Sequence, residues 1–238
     1  MNGLRKYRCQ LCRHVFSDQS ATPLKWNKVR IDRVAAVSYL HELPVSIRMT
    51  AEEVEIGKNA ANRLRSILRQ TKGKLYVQGR PRQLSGVIEM DETRIAHRWF
   101  WGGIERKTNT PVIEFVPNRS EIMLSSKIWK YVSEGSTVIT DEWAGYQLHP
   151  RFFRHLTVNH SQSFVHPRNR RIHTNRIEGF WRQIKRHINH RCNGVAFHNI
   201  LDYIHDDLYR KSHLHSEKAS FFPLSCLTIH LTPPSQGT

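Results

Sequence analysis

The sequence lacks any long uninterrupted apolar run, and it has few cysteines and few acidic residues for its length. No stretch approaches the roughly 18 consecutive apolar residues that span a bilayer, so we expect no membrane anchor. The first residues, MNGLRKYRCQLC, lack an apolar signal core. This predicts an intracellular protein, located in the nucleus of a eukaryote or in the cytoplasm and nucleoid of a bacterium. Four cysteines among 238 residues are too few for a disulfide scaffold.

The shortage of acids leaves a large positive charge. There are 37 lysines and arginines against 20 aspartates and glutamates, so the formal net charge is +17. A chain of this size and charge is typical of proteins that bind a polyanion, and nucleic acid is the first candidate. Hydrophobic residues make up 39% of the chain, which is enough to bury a core and excludes wholesale disorder.

Two cysteines and two helical segments mark the N-terminal third. Cys9 and Cys12 form a CxxC pair in KYRCQLCRHVFS, which supplies two of the four ligands that a structural zinc site needs. An apolar stripe before Pro44 predicts one helix. The segment TAEEVEIGKNAANRLRSILRQ predicts a second, with Thr50 as its cap and Glu53 completing a capping box. The pair favours a helix-turn-helix, although any small helical pair gives the same pattern.

The second of these helices is rich in arginine. Its arginines are candidates for contacts with DNA phosphates, and the alternative is an ordinary solvated helix. The residues in question are Arg63, Arg65 and Arg69.

From about residue 84 the pattern changes to strands. Three strands in a meander, which include SGVIEM and the hairpin HRWFWGGIERKTNTPVIEFVP, precede alternating helices and strands. This order predicts an α/β fold with a mixed sheet and flanking helices. It is compatible with a ribonuclease-H-like fold and with several other α/β folds. The expected segments are a partial zinc-ribbon knuckle (1–20), a helical DNA-binding region (21–72), a basic linker (73–83), a catalytic domain (84–211) and a tail (212–238).

Three carboxylates are candidates for a metal site. Asp91 follows the apolar strand VIEM and Asp141 follows TVIT, although acidic residues are disfavoured in strands. Glu178 lies in the first turn of a predicted helix. If the three converge, their oxygens are suitable ligands for two hard divalent cations, an arrangement that catalyses phosphoryl transfer. The local alternatives are that Asp141 caps a turn, that Asp91 ends a strand, and that Asn175 and Glu178 form a capping box.

The surroundings of Glu178 favour the catalytic alternative. Glu178 is the single acid in a strongly basic stretch between residues 151 and 191. Lys185 lies almost two helical turns later, so the two side chains share a helix face. Arg182 and Arg186 lie on the same helix. A DNA strand that crosses this helix would therefore meet cations beside the carboxylate.

Three segments together resemble a known family. They are EMDETRIA, STVITDEWAGY with VNHSQSFV shortly after, and HTNRIEGFWRQIKR. They are similar to the transposase domain of the ISXO-type insertion sequences and the related Merlin DNA transposons, within the DDE superfamily, over roughly residues 5–211. The resemblance implies a ribonuclease-H-like core that cuts transposon ends and joins them to target DNA with two Mg²⁺ or Mn²⁺ ions as cofactors.

The resemblance also implies roles for individual residues. The catalytic, metal-binding triad falls on Asp91, Asp141 and Glu178. Some relatives have Asn in place of the final Glu, which makes Asn175 the alternative third ligand. We prefer Glu178 because an anionic oxygen binds a hard cation better than an amide does. The motif positions expected to contact DNA are His173, Asn175 and Lys185, and Asn159 and His160 also match the motif without an assigned role.

The family carries an N-terminal zinc ribbon with two CxxC knuckles, and Cys9 and Cys12 match the second. This pair by itself therefore supplies too few ligands for a complete zinc site. The implied partners are the terminal inverted repeats of the transposon, the target DNA and further copies of the chain.

Two rival functions stay open on the sequence alone. One is a decayed or co-opted transposase that only binds DNA, and the other is a ribonuclease or repair nuclease on the same fold. Several aromatics are candidates for stacking on splayed bases, with core packing as the alternative for the last two. They are Trp99, Trp101, Phe180 and Trp181.

Overall fold

The structure is a computed structural model that describes residues 6–17, 22–24, 28–159, 169–191 and 199–214. The chain forms two compact units. Unit 1 comprises residues 1–78 and 205–238, and unit 2 comprises residues 79–204. In the described parts of the chain, no helix is both long enough and apolar enough to cross a membrane.

Unit 1 contains a small hairpin and three helices, followed by the C-terminal part of a fourth. The hairpin pairs β1 (Lys6–Arg8) with β2 (Val15–Ser17), and its turn carries the CxxC pair. The helices are α1 (Ile31–Glu42), α2 (Ile47–Glu53) and α3 (Lys58–Gly79), and from His205 onward α6 (Ile200–Leu214) also belongs to this unit. The apolar core of the helices consists of Leu24, Val34, Val37, Val54, Leu64 and Leu68.

Two expectations for this region were wrong. The segment predicted to be one helix is two, because the chain turns between Val54 and Gly57, with Glu55 at a positive φ of 51°. The cap of α2 is Ser46, whose hydroxyl accepts a hydrogen bond from the Met49 amide. Thr50 is instead a buried residue inside α2. The expected two-helix motif is therefore a three-helix arrangement, and α3 continues to Gly79, inside the expected linker.

Unit 2 is built on a five-stranded sheet with the order β5-β4-β3-β6-β7. Its strands are β3 (Val87–Ile95), β4 (Arg98–Glu105), β5 (Pro111–Val116), β6 (Thr137–Asp141) and β7 (Arg154–Val158). The first three strands pair antiparallel, whereas β6 runs parallel to both β3 and β7. With α4 (Glu121–Tyr131) and α5 (Asn175–Arg191) against it, this is the predicted ribonuclease-H-like mixed sheet with flanking helices, and the fold prediction is confirmed.

The two faces of the sheet have different chemistry, because side chains alternate along a strand. On one face, Ile88 and Met90 join the core cluster that contains Leu124 and Ile128 of α4. Glu89 and Asp91 alternate with these residues and point to the face covered by α5. An acidic pair is thus placed under α5, while the opposite face carries the apolar core, with the buried Glu92 beside its core residues Trp101 and Tyr146.

Gly102 of β4 allows α5 to approach the sheet closely. A Cβ atom at this position would lie 2.5 Å from Trp181 Cζ2 and 3.4 Å from Ile177 Cδ1, both on α5. Any side chain here would therefore push the helix away. Gly102 is the register partner of Asp91, so this contact determines how near α5 lies to the acidic face.

Candidate active site

The register of the parallel strands brings Asp91 and Asp141 together. Glu89 of β3 is paired with Ile139 of β6. Continued two residues beyond this last pair, the register sets Asp91 opposite Asp141, and the charge of Asp141 does act on Asp91. Register partners in parallel strands point to the same face, so both carboxylates lie on the face covered by α5.

The position of Asp91 corrects one detail of the sequence interpretation. Asp91 was expected at the end of its strand, but β3 continues to Ile95 because β4 pairs with its whole length. Only the pairing with β6 ends before it, at Glu89. Asp91 is therefore an internal strand residue, and its backbone is held by the neighbouring strand.

Glu178 approaches the same face from the first turn of α5. Its Oε1 atom accepts a hydrogen bond of 3.0 Å from the hydroxyl of Thr174, a fully buried residue just before the helix. Glu178 is half-buried, whereas Asn175 is exposed. Of the two candidates for the third ligand, the arrangement therefore supports Glu178.

The pKa of Asp91 shows that the acids interact. Burial raises the pKa of Asp91 to about 8, and the negative charges of Glu92, Asp141 and Glu178 add to the rise. A neighbouring acid affects a pKa in this way only at short range. Asp91 therefore lies close enough to the other two members of the predicted triad to be repelled by them.

A second acid on β3 takes part in the cluster. Burial raises the pKa of Glu92 to about 7, and Asp141 contributes to the rise. The buried Tyr146 donates a hydrogen bond from its hydroxyl to Glu92 Oε1. Burial and the nearby carboxylates raise the pKa of Tyr146 well above its ordinary value, so Tyr146 stays protonated and remains a donor.

Sequence reasoning missed the role of Glu89. Its carboxylate is completely buried, and its Oε2 atom accepts hydrogen bonds from the backbone amides of Arg176 and Ile177, at 2.8 and 3.2 Å. Its Oε1 atom lies 2.6 Å from Nε of Arg106. An anion at a helix N-terminus is stabilised by the unpaired amides and the helix dipole. Glu89 therefore fixes the start of α5, and with it Glu178.

A signal for this role was present in the sequence. Glu89 stands in the middle of the apolar strand VIEM, where a charged residue requires a buried partner. That partner is Arg106, which also donates to the carbonyl oxygens of Arg171 and His173. Neither partner could be chosen from the sequence, because both depend on how α5 docks on the sheet.

The acidic cluster fits divalent cations in its chemistry. Carboxylate oxygens are the ligands that Mg²⁺ and Mn²⁺ prefer, and the charged side chains that act on Asp91 in the described residues are all acidic. Within those residues, no three His, Cys, Asp or Glu side chains already form a ready-made coordination sphere. Ion binding would thus draw together carboxylates that now repel one another.

A family comparison decides the broader assignment. The family model of the ISXO2-like transposase domain matches residues 71–211, which is more than half of the chain. The chain belongs to this family. The resemblance expected from the three sequence motifs is thereby confirmed, and the transposase domain contains the whole acidic cluster.

Solved structures and curated proteins add less to the assignment than the family model does. The transposase domain is similar to the crystal structure of the catalytic core domain of BIV integrase, with 14% identity and a TM-score of 0.35. The match covers 55% of this chain and 97% of that one. A likeness at this level carries no conclusion about function. No curated protein matches the chain significantly.

Around the acids, the transposase domain exposes positive charge along α5. The residues expected to contact DNA from this helix are all exposed. They are Asn175, Arg182, Lys185 and Arg186. His173 is half-buried, with Nδ1 3.4 Å from Glu89 Oε1, and Asn159 donates to Glu142. His160 lies outside the described residues.

Two of the three arginines expected to contact DNA from α3 are buried, which corrects that prediction. Arg65 is 8% exposed and donates to Nδ1 of His41, to the carbonyl of Val45 and to the hydroxyl of Thr50. Arg69 is 7% exposed. Only Arg63 is exposed. Arg65 of α3 holds unit 1 together instead of facing solvent. The helix therefore exposes fewer arginines than its sequence predicts.

The aromatics expected to stack on bases are mostly core residues. Trp101 is fully buried in the core under α4, and Phe180 and Trp181 are 7% and 4% exposed. Only Trp99 is partly accessible. The alternative of core packing is therefore correct for Phe180 and Trp181, and it also applies to Trp101.

The CxxC pair lies in the turn of the β1–β2 hairpin. Cys9 is half-buried, Cys12 is exposed, and both are free thiols. Among the described residues no third ligand joins them.

Proposed function

We propose that this chain is a DNA transposase that cuts the ends of its element and joins them to target DNA. The observation that carries the proposal is the placement of Asp91, Asp141 and Glu178 on one face of a ribonuclease-H-like sheet. There the pKa of Asp91 is raised by burial and by its acidic neighbours. Perturbed acids in such a cluster mark functional sites, and here they coincide with the family's transposase domain.

The three carboxylates would hold two Mg²⁺ or Mn²⁺ ions, with Asp91 and Asp141 sharing one and Glu178 helping to hold the second. Bound in this way, two divalent ions activate an attacking oxygen and stabilise the leaving oxygen in phosphoryl transfer. They would also neutralise the repulsion that now raises the pKa of Asp91.

The remaining residues position the substrate and the acids. Glu89 anchors the first turn of α5 and so keeps Glu178 over the sheet. The exposed Arg182, Lys185 and Arg186 would contact phosphates of the bound strand. Contacts of this kind make DNA affinity fall steeply with salt.

The other expected partners follow from the same proposal. Exposed Arg63 of α3 would contribute to binding of the terminal inverted repeats. The same acidic cluster would act on the bound transposon end and on the target DNA. Further copies of the chain would bind the second end of the element.

A cleavage assay tests the proposal. The substrate is a duplex that carries the terminal sequence of the element, incubated with Mg²⁺ or with EDTA. Wild-type protein should cut only with Mg²⁺, whereas Asp91→Ala and Asp141→Ala should lose cutting and joining while their DNA affinity stays within a few-fold of wild type. Full activity in either variant would refute the assignment of the triad.

A matched control uses another acid of the same unit. Glu134 is exposed and lies in the turn before β6, at the opposite end of that strand from Asp141. Glu134→Ala should cut at the wild-type rate. If the wild-type protein binds the duplex but cuts nothing with either Mg²⁺ or Mn²⁺, the chain acts only as a DNA-binding protein. A preference for RNA–DNA hybrid over duplex DNA would instead indicate a ribonuclease.

A further inference from the structure

An exposed tryptophan stands directly beside the acidic cluster. Trp143 follows Asp141 by two residues, and its backbone amide donates a hydrogen bond of 3.1 Å to Asp141 Oδ1. Trp143 is 40% exposed. Of the four aromatics expected to stack on bases, three are buried, and Trp143 is not one of the four and has no role in the function described so far.

The indole of Trp143 is held rigidly although it is exposed. Its Nε1 atom donates a hydrogen bond of 3.2 Å to the carbonyl oxygen of Arg119. A Cβ atom on Gly145 would lie 2.7 Å from the same Nε1 atom and 2.8 Å from that carbonyl. Gly145 is therefore needed for the ring to lie where it does.

A guanidinium group supports the indole from one side. The Arg119 guanidinium carbon lies 4.0 Å from the ring centroid of Trp143 and 4.0 Å from that of Trp99. Stacking of a cation between two indoles is attractive through the quadrupoles of the rings. The positive charge of Arg119 is also felt at Glu92, since it opposes the rise in the pKa of that acid. The Trp99–Arg119–Trp143 stack is thus part of the surroundings of the acidic cluster.

The stack offers two binding features in one place. The exposed indole presents an aromatic surface, and Arg119 adds a positive charge next to a metal-binding cluster that handles phosphates. A nucleotide unit has the complementary features, since it combines a flat base with a phosphate. Stacking of a base on an aromatic side chain is tolerant of sequence, and a ring that is already ordered loses little conformational entropy when a base binds.

We propose that the Trp99–Arg119–Trp143 stack is a binding site for an unpaired base of the DNA strand held at the acidic cluster, with the base stacked on Trp143. The inference rests on the proposed DNA substrate and specifies its form: a strand that is locally unpaired next to the bond that is cut. Arg119 fixes the plane of Trp143 and draws the adjoining phosphate towards it.

The unit contains a matched control for this site. Trp129 of α4 is 48% exposed, and it packs edge-on against Phe152 and Phe153, with centroid distances of 5.1 and 5.2 Å. Those phenylalanines come just before β7, whereas Asp141 ends β6, which runs parallel to it. Trp129 therefore lies at the other end of these strands from the acids.

The test measures base stacking directly on the full chain in EDTA, where no DNA is cut. One duplex ends in a short unpaired tail that contains the fluorescent base 2-aminopurine, and a second duplex of the same sequence is blunt. Wild type should change the 2-aminopurine fluorescence on binding. Trp143→Ala should abolish the change and weaken binding of the tailed duplex about 10-fold or more, with blunt-duplex affinity unchanged. Trp129→Ala should behave as wild type in both measurements.

Two further variants guard against a loss of folding. Trp143→Phe keeps a smaller ring and should retain part of the fluorescence change, and Arg119→Lys keeps the charge but not the flat surface under the indole and should give an intermediate value. The proposal is overturned if Trp143→Ala binds the tailed duplex as wild type does. It is also overturned if Trp143→Ala and Trp143→Phe lose both duplexes equally, since the indole would then only support the local fold.

The result separates this inference from the proposed function. If Mg²⁺-dependent cutting requires Asp91 but Trp143→Ala leaves tailed-duplex binding intact, only the base-binding site is wrong. If wild type binds neither duplex, both proposals fail.

Discussion

Each unit of this protein buries a cluster of charged side chains, and the two clusters differ in how the charges are balanced. In unit 1, Asp206 is held by His41, with Nε2 3.3 Å from Oδ1, and by Arg210, with Nη2 2.8 Å from Oδ2. Lys72 is paired with Glu42 nearby. Acids and bases alternate in this cluster. In the described part of unit 2, the charges that shift the pKa of Asp91 are those of Glu92, Asp141 and Glu178, which are all acids.

The pKa values reflect this difference. Burial by itself raises the pKa of Asp206, but the hydrogen bond from His41 and the charges of Arg210 and Lys72 hold it well below its ordinary value. At Asp91 a hydrogen bond from the backbone of Glu92 offsets only part of the effect of burial and of the neighbouring acids, and the pKa rises to about 8. Burial also lowers the pKa of His41 to about 4, so His41 is neutral at pH 7.

The two clusters therefore respond to pH with opposite signs. The lowered pKa values of Asp206 and His41 give stability that is present at neutral pH and is lost as the pH falls through the range from about 6.5 to below 4. The raised pKa of Asp91 gives stability that is present in acid and is lost as the pH rises from about 4 to about 8.

The contrast separates a structural cluster from a functional one. Buried charges that serve only the fold are paired, because an unpaired buried charge is costly. A cluster that lowers the stability of the metal-free protein near neutral pH is typical of a functional site, and bound cations would supply the missing charge. The contrast therefore supports the catalytic role proposed for the acids of unit 2, whereas the balanced cluster of unit 1 stabilises the fold.

The largest effect on stability is expected from breaking the balanced cluster. Asp206→Ala leaves Lys72 and Arg210 with less buried negative charge, and removal of one partner from such a cluster costs about 3–5 kcal/mol. Urea unfolding should show this loss in the free energy of unfolding at pH 7.

The control for that variant is an exposed acid of the same unit. Asp32 pairs with Arg30 on the surface, and both side chains are more than half exposed. Asp32→Ala should leave the free energy of unfolding close to the wild-type value, because an exposed ion pair contributes little to stability. If Asp206→Ala costs equally little, the cluster of unit 1 does not hold the fold.

A smaller effect is expected at Glu89, which lies two residues before Asp91 and whose charge is paired with that of Arg106. Glu89→Gln keeps the shape but removes the charge that faces Arg106 and the amides of α5, and hydrogen bonds to charged groups are worth about 1.5–3 kcal/mol. Unfolding should show that loss. Cutting should also slow, because the first turn of α5 carries Glu178.

Glu105 of β4 provides the comparison for Glu89. It is 6% exposed and accepts a hydrogen bond of 3.1 Å from the neutral amide of Ser85. A glutamine can still accept that bond, so Glu105→Gln should cost only about 1 kcal/mol and leave cutting unchanged. Equal losses at the two positions would argue against a special role for Glu89.

The smallest effect, and one of opposite sign, is expected at Asp91. In metal-free protein Asp91→Asn removes a carboxylate that is repelled by its neighbours, so it should raise the free energy of unfolding by about 1–2 kcal/mol at pH 8. At pH 4 the gain should be much smaller, because wild-type Asp91 is protonated there in the folded chain and already close to half protonated in the unfolded chain. Urea unfolding at both pH values measures the difference.

Addition of Mg²⁺ should make the wild-type protein more stable than Asp91→Asn at pH 8. The wild-type protein should gain stability with Mg²⁺ concentration, since an ion that binds only the folded state stabilises it, and Asp91→Asn should gain much less. A variant that is less stable than wild type at pH 8 without metal would show that Asp91 is a structural residue.

Much of the candidate site could be predicted from local sequence. Asp91 and Asp141 follow short apolar runs and Glu178 lies early in an amphipathic segment, which made them candidates, and the family resemblance then implied the triad. The role of Glu89 was missed because its partners, Arg106 and the first amides of α5, become neighbours only when the helix docks on the sheet. The burial of Arg65 and Trp101 was missed for the same reason. The type of a residue does not show which side of its helix or strand other elements cover in the folded protein.

What the sequence determined by itself was the kind of protein: its positive charge, its order of strands and helices, and its transposase motifs all follow from residues close together in the chain. Only the tertiary structure decided which charges are balanced and which are not. Electrostatic interactions depend on distance in space and on burial, and neither is set by separation along the chain. Asp91 and Asp206 are the same residue type, and only their folded surroundings move their pKa values in opposite directions.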